Sequence, residues 1–171
     1  IRIYKKSIDA RRKNDIHYVY SVVGDTRKNA EKFKDVTLDK ETEEVILNAP
    51  SNDKKIVIVG MGPCGLFAGL ILARHGYKPV ILERGEDVDS RHRTIMNSQK
   101  SSTINPQSNI QFGEGGAGTF SDGKLTTRIG DPMQKFVLET FVKYGAPEEI
   151  LYLSKPHIGT DLLRGIIKNI R

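Results

Sequence analysis

The stretch that decides the fold is Lys54-Lys55-Ile56-Val57-Ile58-Val59, followed at once by Gly60-Met61-Gly62-Pro63-Cys64-Gly65 and then by Leu66-Phe67-Ala68-Gly69-Leu70-Ile71-Leu72-Ala73. The β-branched run is of the kind found in a strand buried on both faces of a parallel sheet. The glycine-rich turn opens a small, apolar helix that should stop around Gly76, and Pro79-Val80-Ile81-Leu82-Glu83 reads as a second strand. A strand, a helix and a strand in about 30 residues are the minimum for a parallel crossover.

A six-residue glycine pattern alone is weak. Here the glycines directly follow a buried strand and directly open a helix, and Glu83 stands 18 residues after Gly65 at the end of the next strand. Gly60 allows the tight turn, Gly62 lets backbone N–H groups approach a pyrophosphate, and Gly65 lets the helix pack on the sheet. Gly69, one turn on, extends that close packing. A helix N-terminus adds unpaired donors and the positive end of a dipole, both suited to a diphosphate. Glu83 would accept hydrogen bonds from ribose hydroxyls and repel a 2′-phosphate. The unit fits NAD or FAD equally, because both contain the ADP moiety it grips.

Upstream the pattern changes. From Ile1 to about Asn48 the chain is polar, with alternation through Ile16, Tyr18, Tyr20 and Val22, a helix-like Asn29 to Lys34, and strand-like Val36 to Leu38 and Val45 to Leu47. Ala49-Pro50-Ser51-Asn52-Asp53 reads as a linker, since proline halts regular structure and Ser, Asn and Asp bond to their own backbone. Two units follow: residues 1–53, a small α+β set with its linker, and residues 54–171, built on the strand-turn-helix.

Downstream, Phe112-Gly113-Glu114-Gly115-Gly116-Ala117-Gly118-Thr119-Phe120-Ser121-Asp122-Gly123-Lys124 holds five glycines, against four in residues 60–69. A loop so poor in side chains either flexes or lets a flat or anionic ligand touch backbone. Its flanks, Ile110, Phe112 and Leu125, anchor it. Gly118 through Gly123-Lys124 matches a triphosphate loop up to its last position, where Leu125 replaces the hydroxyl residue that would ligate magnesium. No buried strand precedes it, so a triphosphatase is the poorer reading.

Gly60 to Gly65 with Glu83-Arg84-Gly85, the stretch Asn109 to Leu125, and Lys155-Pro156-His157-Ile158-Gly159-Thr160-Asp161 resemble the bacterial family of uncharacterised FAD-dependent dehydrogenases, within the glutathione-reductase-like FAD superfamily. The opening Lys5-Lys6-Ser7-Ile8-Asp9-Ala10-Arg11 is similar to that family's N-terminal domain. The resemblance touches nearly the whole chain, and the long glycine loop is its most specific part. It implies an α/β fold, an incomplete Rossmann-like FAD-binding domain preceded by a small α+β N-terminal domain. It implies the ADP part of FAD on Gly60, Met61, Gly62, Pro63, Cys64, Gly65 and Glu83, with Arg84 and Arg91 near the adenosine and pyrophosphate. Gly115, Gly116, Ala117, Gly118 and Thr119 with Lys124 would lie near the pyrophosphate and flavin ring. The implied activity is a flavin-dependent oxidoreductase of unknown substrate, with NAD(P)H a candidate electron donor. Members of that family are several times this length and carry a later Gly-Asp motif and a second domain over the flavin face, so the resemblance implies a fragment, cut at both ends.

Composition and charge exclude other classes. With 37% hydrophobic and 28% charged residues the chain should bury a core. Its longest apolar run, Leu66 to Ala73, ends at Arg74 and His75, well short of the roughly 20 residues that cross a bilayer. Single Cys64 makes no internal disulfide, which fits a reducing, cytoplasmic setting. The net charge of +6 has one local cluster, Arg2, Lys5, Lys6, Arg11, Arg12 and Lys13 around Asp9. A solvated edge strand explains that cluster better than nucleic acid does. Two alternatives stay open, a nicotinamide-dependent dehydrogenase using the same turn and an RNA-interacting flavoprotein docking through the basic segment.

No residue demands a catalytic role. Cys64 reads as a small packing residue beside a phosphate site, and His17, His75, His92 and His157 lack metal spacing and read as surface or capping residues. Glu148 and Glu149 follow Pro147 in a helix first turn. Asp131-Pro132 opens a helix whose Met133, Phe136, Val137, Phe141 and Tyr144 form one core-facing stripe ended by Gly145. A final helix, capped by Thr160, places Leu162, Leu163, Ile166, Ile167 and Ile170 as its apolar positions and reaches Arg171 without a stop signal.

Overall fold

The computed structural model describes residues 1–25, 32–39, 47–48, 55–101, 104–120, 124–125, 127, 131 and 133–171. Alternation near the N-terminus produces a hairpin of β1 (Arg2–Asp9) and β2 (His17–Val23), antiparallel, with Lys6 opposite Tyr20 and Ile8 opposite Tyr18. Asp9 closes the turn by accepting the Arg11 backbone N–H at 3.1 Å and pairing with its guanidinium. The Lys6 N–H donates to Tyr152 O at 2.7 Å, which ties the hairpin to a distant part of the chain. The strand expected at Val36 to Leu38 is not seen: among the described residues these have no ladder partner, and Val36 and Leu38 are exposed. Of the helix expected at Asn29 to Lys34, the described part makes only a turn, closed by Val36 N–H to Phe33 O at 3.1 Å. Residues 29–31, Val45 and Ile46, and the linker at 49–53 lie outside the described residues.

The central unit forms where the sequence puts it. β3 (Val57–Val59) pairs in parallel with β4 (Val80–Leu82), Ile58 opposite Ile81, and α1 (Pro63–Arg74) joins them. Packing is close because Gly69 has no side chain: a Cβ there would lie 2.7 Å from Ile81 Cδ1. Gly76 (φ +83) then stops α1, with Gly76 N–H bonded to Ala73 O and Tyr77 N–H to Leu72 O, the paired bonds of a Schellman cap. The expected burial of β3 on both faces is not observed. α1 covers the Ile58 and Ile81 face, whereas Val57 and Val59 on the other are 54% and 85% exposed, because among the described residues nothing packs there.

A helix that the sequence pattern did not reveal, α2 (Val88–Ser101), follows. Asp87 caps it, its carboxylate accepting the N–H groups of Asp89 and Ser90 at 3.0 and 3.1 Å and the Ser90 hydroxyl at 2.6 Å. Its buried positions are Val88, Arg91 and Ile95, and the arginine among them hides the stripe from any hydropathy reading.

α3 (Met133–Lys143) opens with Asp131 Oδ1 accepting the Met133 N–H at 2.7 Å. It closes on Gly145 (φ +115), where Ala146 N–H reaches Phe141 O and Gly145 N–H reaches Val142 O. Pro132 lies outside the described residues. The α3 stripe is only half-buried: Phe141 and Tyr144 lie against the core, whereas Met133, Phe136 and Val137 do not join it. Glu148 and Glu149 stand in a single 3-10 turn, Glu148–Leu151.

α4 (Thr160–Ile170) is the strongest amphipathic element, with Leu163, Ile166, Ile167 and Ile170 buried at successive turns. Two expectations are corrected here. Gly159, whose carbonyl accepts the Leu163 N–H at 3.0 Å, is the cap, which makes Thr160 the first helical residue, and Leu162 turns outward at 50% exposure. The α4 stripe packs with Leu66 and Leu70 of α1 and with Ala146, Ile150 and Ile158 to form the core. Each of the larger side chains contributes about 2 kcal/mol by burial. The result is a mixed α/β chain with, among the described residues, two small sheets and four α-helices. No described helix is long and apolar enough to cross a membrane.

Candidate functional site

Three glycines shape the first turn, each for its own reason. Gly60 takes φ +95, a conformation open to glycine, and donates its N–H to Leu82 O at 2.7 Å, so the turn begins locked to β4. Gly65 lies so close to it that a Cβ would sit 1.9 Å from Gly60 O. Gly62, the cap of α1, faces open space, with nothing within 4 Å of where a Cβ would be. The first-turn N–H groups of α1 have no partner within the helix and concentrate positive potential there.

Glu83, the residue just after β4, ties this turn. Its Oε2 accepts the Met61 N–H at 2.6 Å and its Oε1 the Gly85 N–H at 2.9 Å. Burial works to raise the carboxyl pKa, but the N–H groups of Gly85, Met61 and Arg84, with the charge of Arg91, outweigh it and hold Glu83 below its ordinary value. A carboxylate has about four acceptor sites, so these bonds leave capacity for hydroxyl donors.

The second glycine loop comes up against the first. Gly115 N–H donates to Met61 O at 2.8 Å, and a Cβ on Gly116 would lie 3.0 Å from Pro63 Cδ and 3.4 Å from Gly62 Cα. Gly113, Gly115 and Gly116 all take positive φ. Behind them the fully buried Arg91 donates to four carbonyls: Asn109 O (3.4 and 3.1 Å), Ile110 O (3.0 Å), Glu114 O (2.5 Å) and Gly116 O (3.1 Å). Burial pushes the Arg91 pKa down, opposed by the charges of Glu83 and Glu114. Glu114, also buried, accepts the Val88 N–H at 2.7 Å and the Arg171 guanidinium at 3.0 Å through Oε2. Its Oε1 and the Thr119 hydroxyl have no hydrogen-bond partner among the described residues.

Between the loops lies a groove of about 300 Å³, lined by Val59, Gly60, Gly62, Leu82, Glu83, Arg84, Gln111, Phe112, Gly113 and Gly116. Of the expected site residues it gathers Gly60, Gly62, Glu83, Arg84 and Gly116. Met61 and Gly115 join the two loops by backbone, Gly65 packs beneath the turn, and Pro63 stands in the first turn of α1. The reading of Cys64 as a packing residue is corrected: its side chain is exposed, on the solvent side of that turn. Arg84 lies over the Phe112 ring at 4.2 Å. Ala117, Gly118 and Thr119 form a 3-10 turn behind the loop, with Thr119 buried, and Lys124 bridges by backbone to His157; none of them lines the groove. Ser121 to Gly123 lie outside the described residues. Gln111 and Phe112 were missed as lining residues, although they immediately precede the glycines. His75 caps α1 through Nδ1–H to Ile71 O at 2.8 Å, whereas His92 is stacked on Phe120, centroids 6.3 Å apart. No group of three metal-ligating side chains occurs among the described residues.

Comparison with known proteins bears on the same segment. Residues 53–108 match the FAD binding domain family. Across 99% of its length the chain is 51% identical to a protein of Clostridium beijerinckii named only as an uncharacterized protein, of which it covers 33%. It is 43% identical over 54 residues to an L-amino acid oxidase of Cerastes cerastes, covering 32% of this chain and 10% of the oxidase. Over 45 residues it is 42% identical to a 4,4'-diapophytoene desaturase (4,4'-diapolycopene-forming) of Methylomonas sp, covering 26% of this chain and 9% of the desaturase. The chain thus spans a third or less of these relatives. The family match ties residues 53–108, the segment that carries β3, α1 and β4, to FAD binding.

Proposed function

We propose that this chain supplies the FAD-binding part of a flavin-dependent oxidoreductase, with a Rossmann-like arrangement extending from β3, α1 and β4. The observation that carries the reading is Gly62, which caps α1, lines the groove and leaves open space where any other residue would place a side chain. Unpaired amides and a positive helix end at the rim of an open groove suit a diphosphate. Glu83, on the same groove, suits the adenosine ribose, and Arg84 over Phe112 offers a flat cationic surface for adenine. The residues present therefore fit the ADP half of FAD.

FAD held there would supply a ring able to accept a hydride or electrons. This chain's own residues bind and orient: the α1 amides hold the diphosphate, Glu83 fixes both Met61 and the ribose, and the second glycine loop closes one side of the groove. NAD(P)H is the proposed electron donor and the cytoplasm the proposed setting.

A visible absorption spectrum of the protein at its natural full length, with chromatographic identification of what heat releases, tests the proposal. A yellow protein that releases FAD is the expected result. A colourless protein that takes up no FAD and binds NAD(H) instead overturns it and moves the nicotinamide reading to first place.

A further inference from the structure

A guanidinium carries five N–H donors. Those of Arg91 are spent in five bonds on the carbonyls of Asn109, Ile110, Glu114 and Gly116, and the side chain is fully buried. None is left to meet a phosphate. The same side chain explains a glycine: a Cβ on Gly113 would lie 2.3 Å from Arg91 Cδ and 2.8 Å from its Nε. The four carbonyls span residues 109 to 116, the segment that supplies Gln111, Phe112, Gly113 and Gly116 to the groove. Such a segment, with three positive-φ glycines, has many accessible conformations and would lose much entropy if a ligand had to order it.

We infer that Arg91 is a positioning residue that never touches the cofactor: from behind, it folds the second glycine loop into its groove-lining shape before the dinucleotide arrives. This rests on the FAD reading for the identity of the ligand and on the bonding pattern alone for the preformed loop. The point charge of a lysine cannot span carbonyls that a planar fork reaches on both sides.

Two measurements test the inference, both on the FAD-free protein. FAD titration followed by flavin fluorescence should show Arg91→Lys binding at least about tenfold more weakly than wild type, the scale of losing bonds to a charged donor, with unchanged far-UV circular dichroism. Amide hydrogen exchange should show Glu114, Gly115 and Gly116 protected in the wild type without FAD and exposed in Arg91→Lys. Affinity within twofold of wild type in a folded Arg91→Lys protein overturns the inference, and so do unprotected wild-type amides that become protected only when FAD is added. If Arg91→Lys does not fold, the wild-type exchange measurement decides. If the wild type binds no FAD, the proposed function fails, while protection of the free loop still decides whether that loop is preformed.

Discussion

The two glycine loops use the same residue for different physical causes. In the first, the causes are local: Gly60 needs its positive φ to make the turn, Gly65 lies against Gly60 O, and Gly62 leaves room at a helix end. In the second, the causes come mostly from far along the chain, with the nearby Thr119 beside them. Gly113 makes room for Arg91, and a Cβ on Gly115 would lie 2.2 Å from the Thr119 hydroxyl and 2.5 Å from Ile167 Cδ1 on α4. Gly116 meets Pro63 of the first loop. A glycine-rich loop thus becomes a fixed wall when buried side chains fill the space that its missing Cβ atoms leave.

The sharpest way to break this comparison is Gly65→Ala. The new methyl would overlap the Gly60 carbonyl, which is backbone and cannot step aside, so the variant should lose about 3 kcal/mol or more. Thermal melting should show a fall of roughly 10 °C. Gly113→Ala comes next, at about 2 kcal/mol, because it adds a strained positive φ to overlaps with Arg91 Cδ and the Glu86 carbonyl at 2.3 and 2.8 Å, less severe than the 1.9 Å at Gly65. A Gly113→Ala protein more damaged than Gly65→Ala would reverse the ordering of local over distant causes.

Glu83→Gln should cost about 1 kcal/mol near neutral pH, since an amide accepts only one of the two N–H bonds that the carboxylate takes. Its pH dependence has a definite sign. The folded-state pKa of Glu83 is lowered, so its stabilisation is complete above the ordinary glutamate range and is lost as pH falls through the depressed value. Urea unfolding at several pH values should therefore show the wild type approaching Glu83→Gln on acidification and staying apart from it at neutral pH. Smallest in stability is Gly62→Ala, under about 0.5 kcal/mol, because a poorer helix cap is offset by a less flexible unfolded chain. The same variant should release FAD, so an unchanged FAD affinity would remove Gly62 from the site.

Legibility followed the same division. The β3-α1-β4 unit could be read because a β-branched run, a glycine turn and an apolar helix are neighbours in sequence and their signals add. The caps at Gly76 and Gly145 were legible for the same reason, since a positive-φ stop is a local event. α2 was missed because one of its three buried positions is an arginine that looks like a surface residue. Val36 to Leu38 resembled a strand through alternation alone, and alternation cannot supply the partner that a strand needs.

By itself the sequence determined the turn from Gly60 to Gly65, the helix it opens and the acidic residue that faces it from just after β4, since each depends on backbone sterics or on spacing along a strand or helix. Only the tertiary structure decided what that acidic residue also does, tying Met61 and Gly85, and that Gln111 and Phe112 wall the groove. It also decided that Arg91 lies buried behind the loop. The physical reason is that a buried cation is tolerated only where acceptors converge on it, here carbonyls from another segment, and that convergence is set by packing between segments distant in the chain.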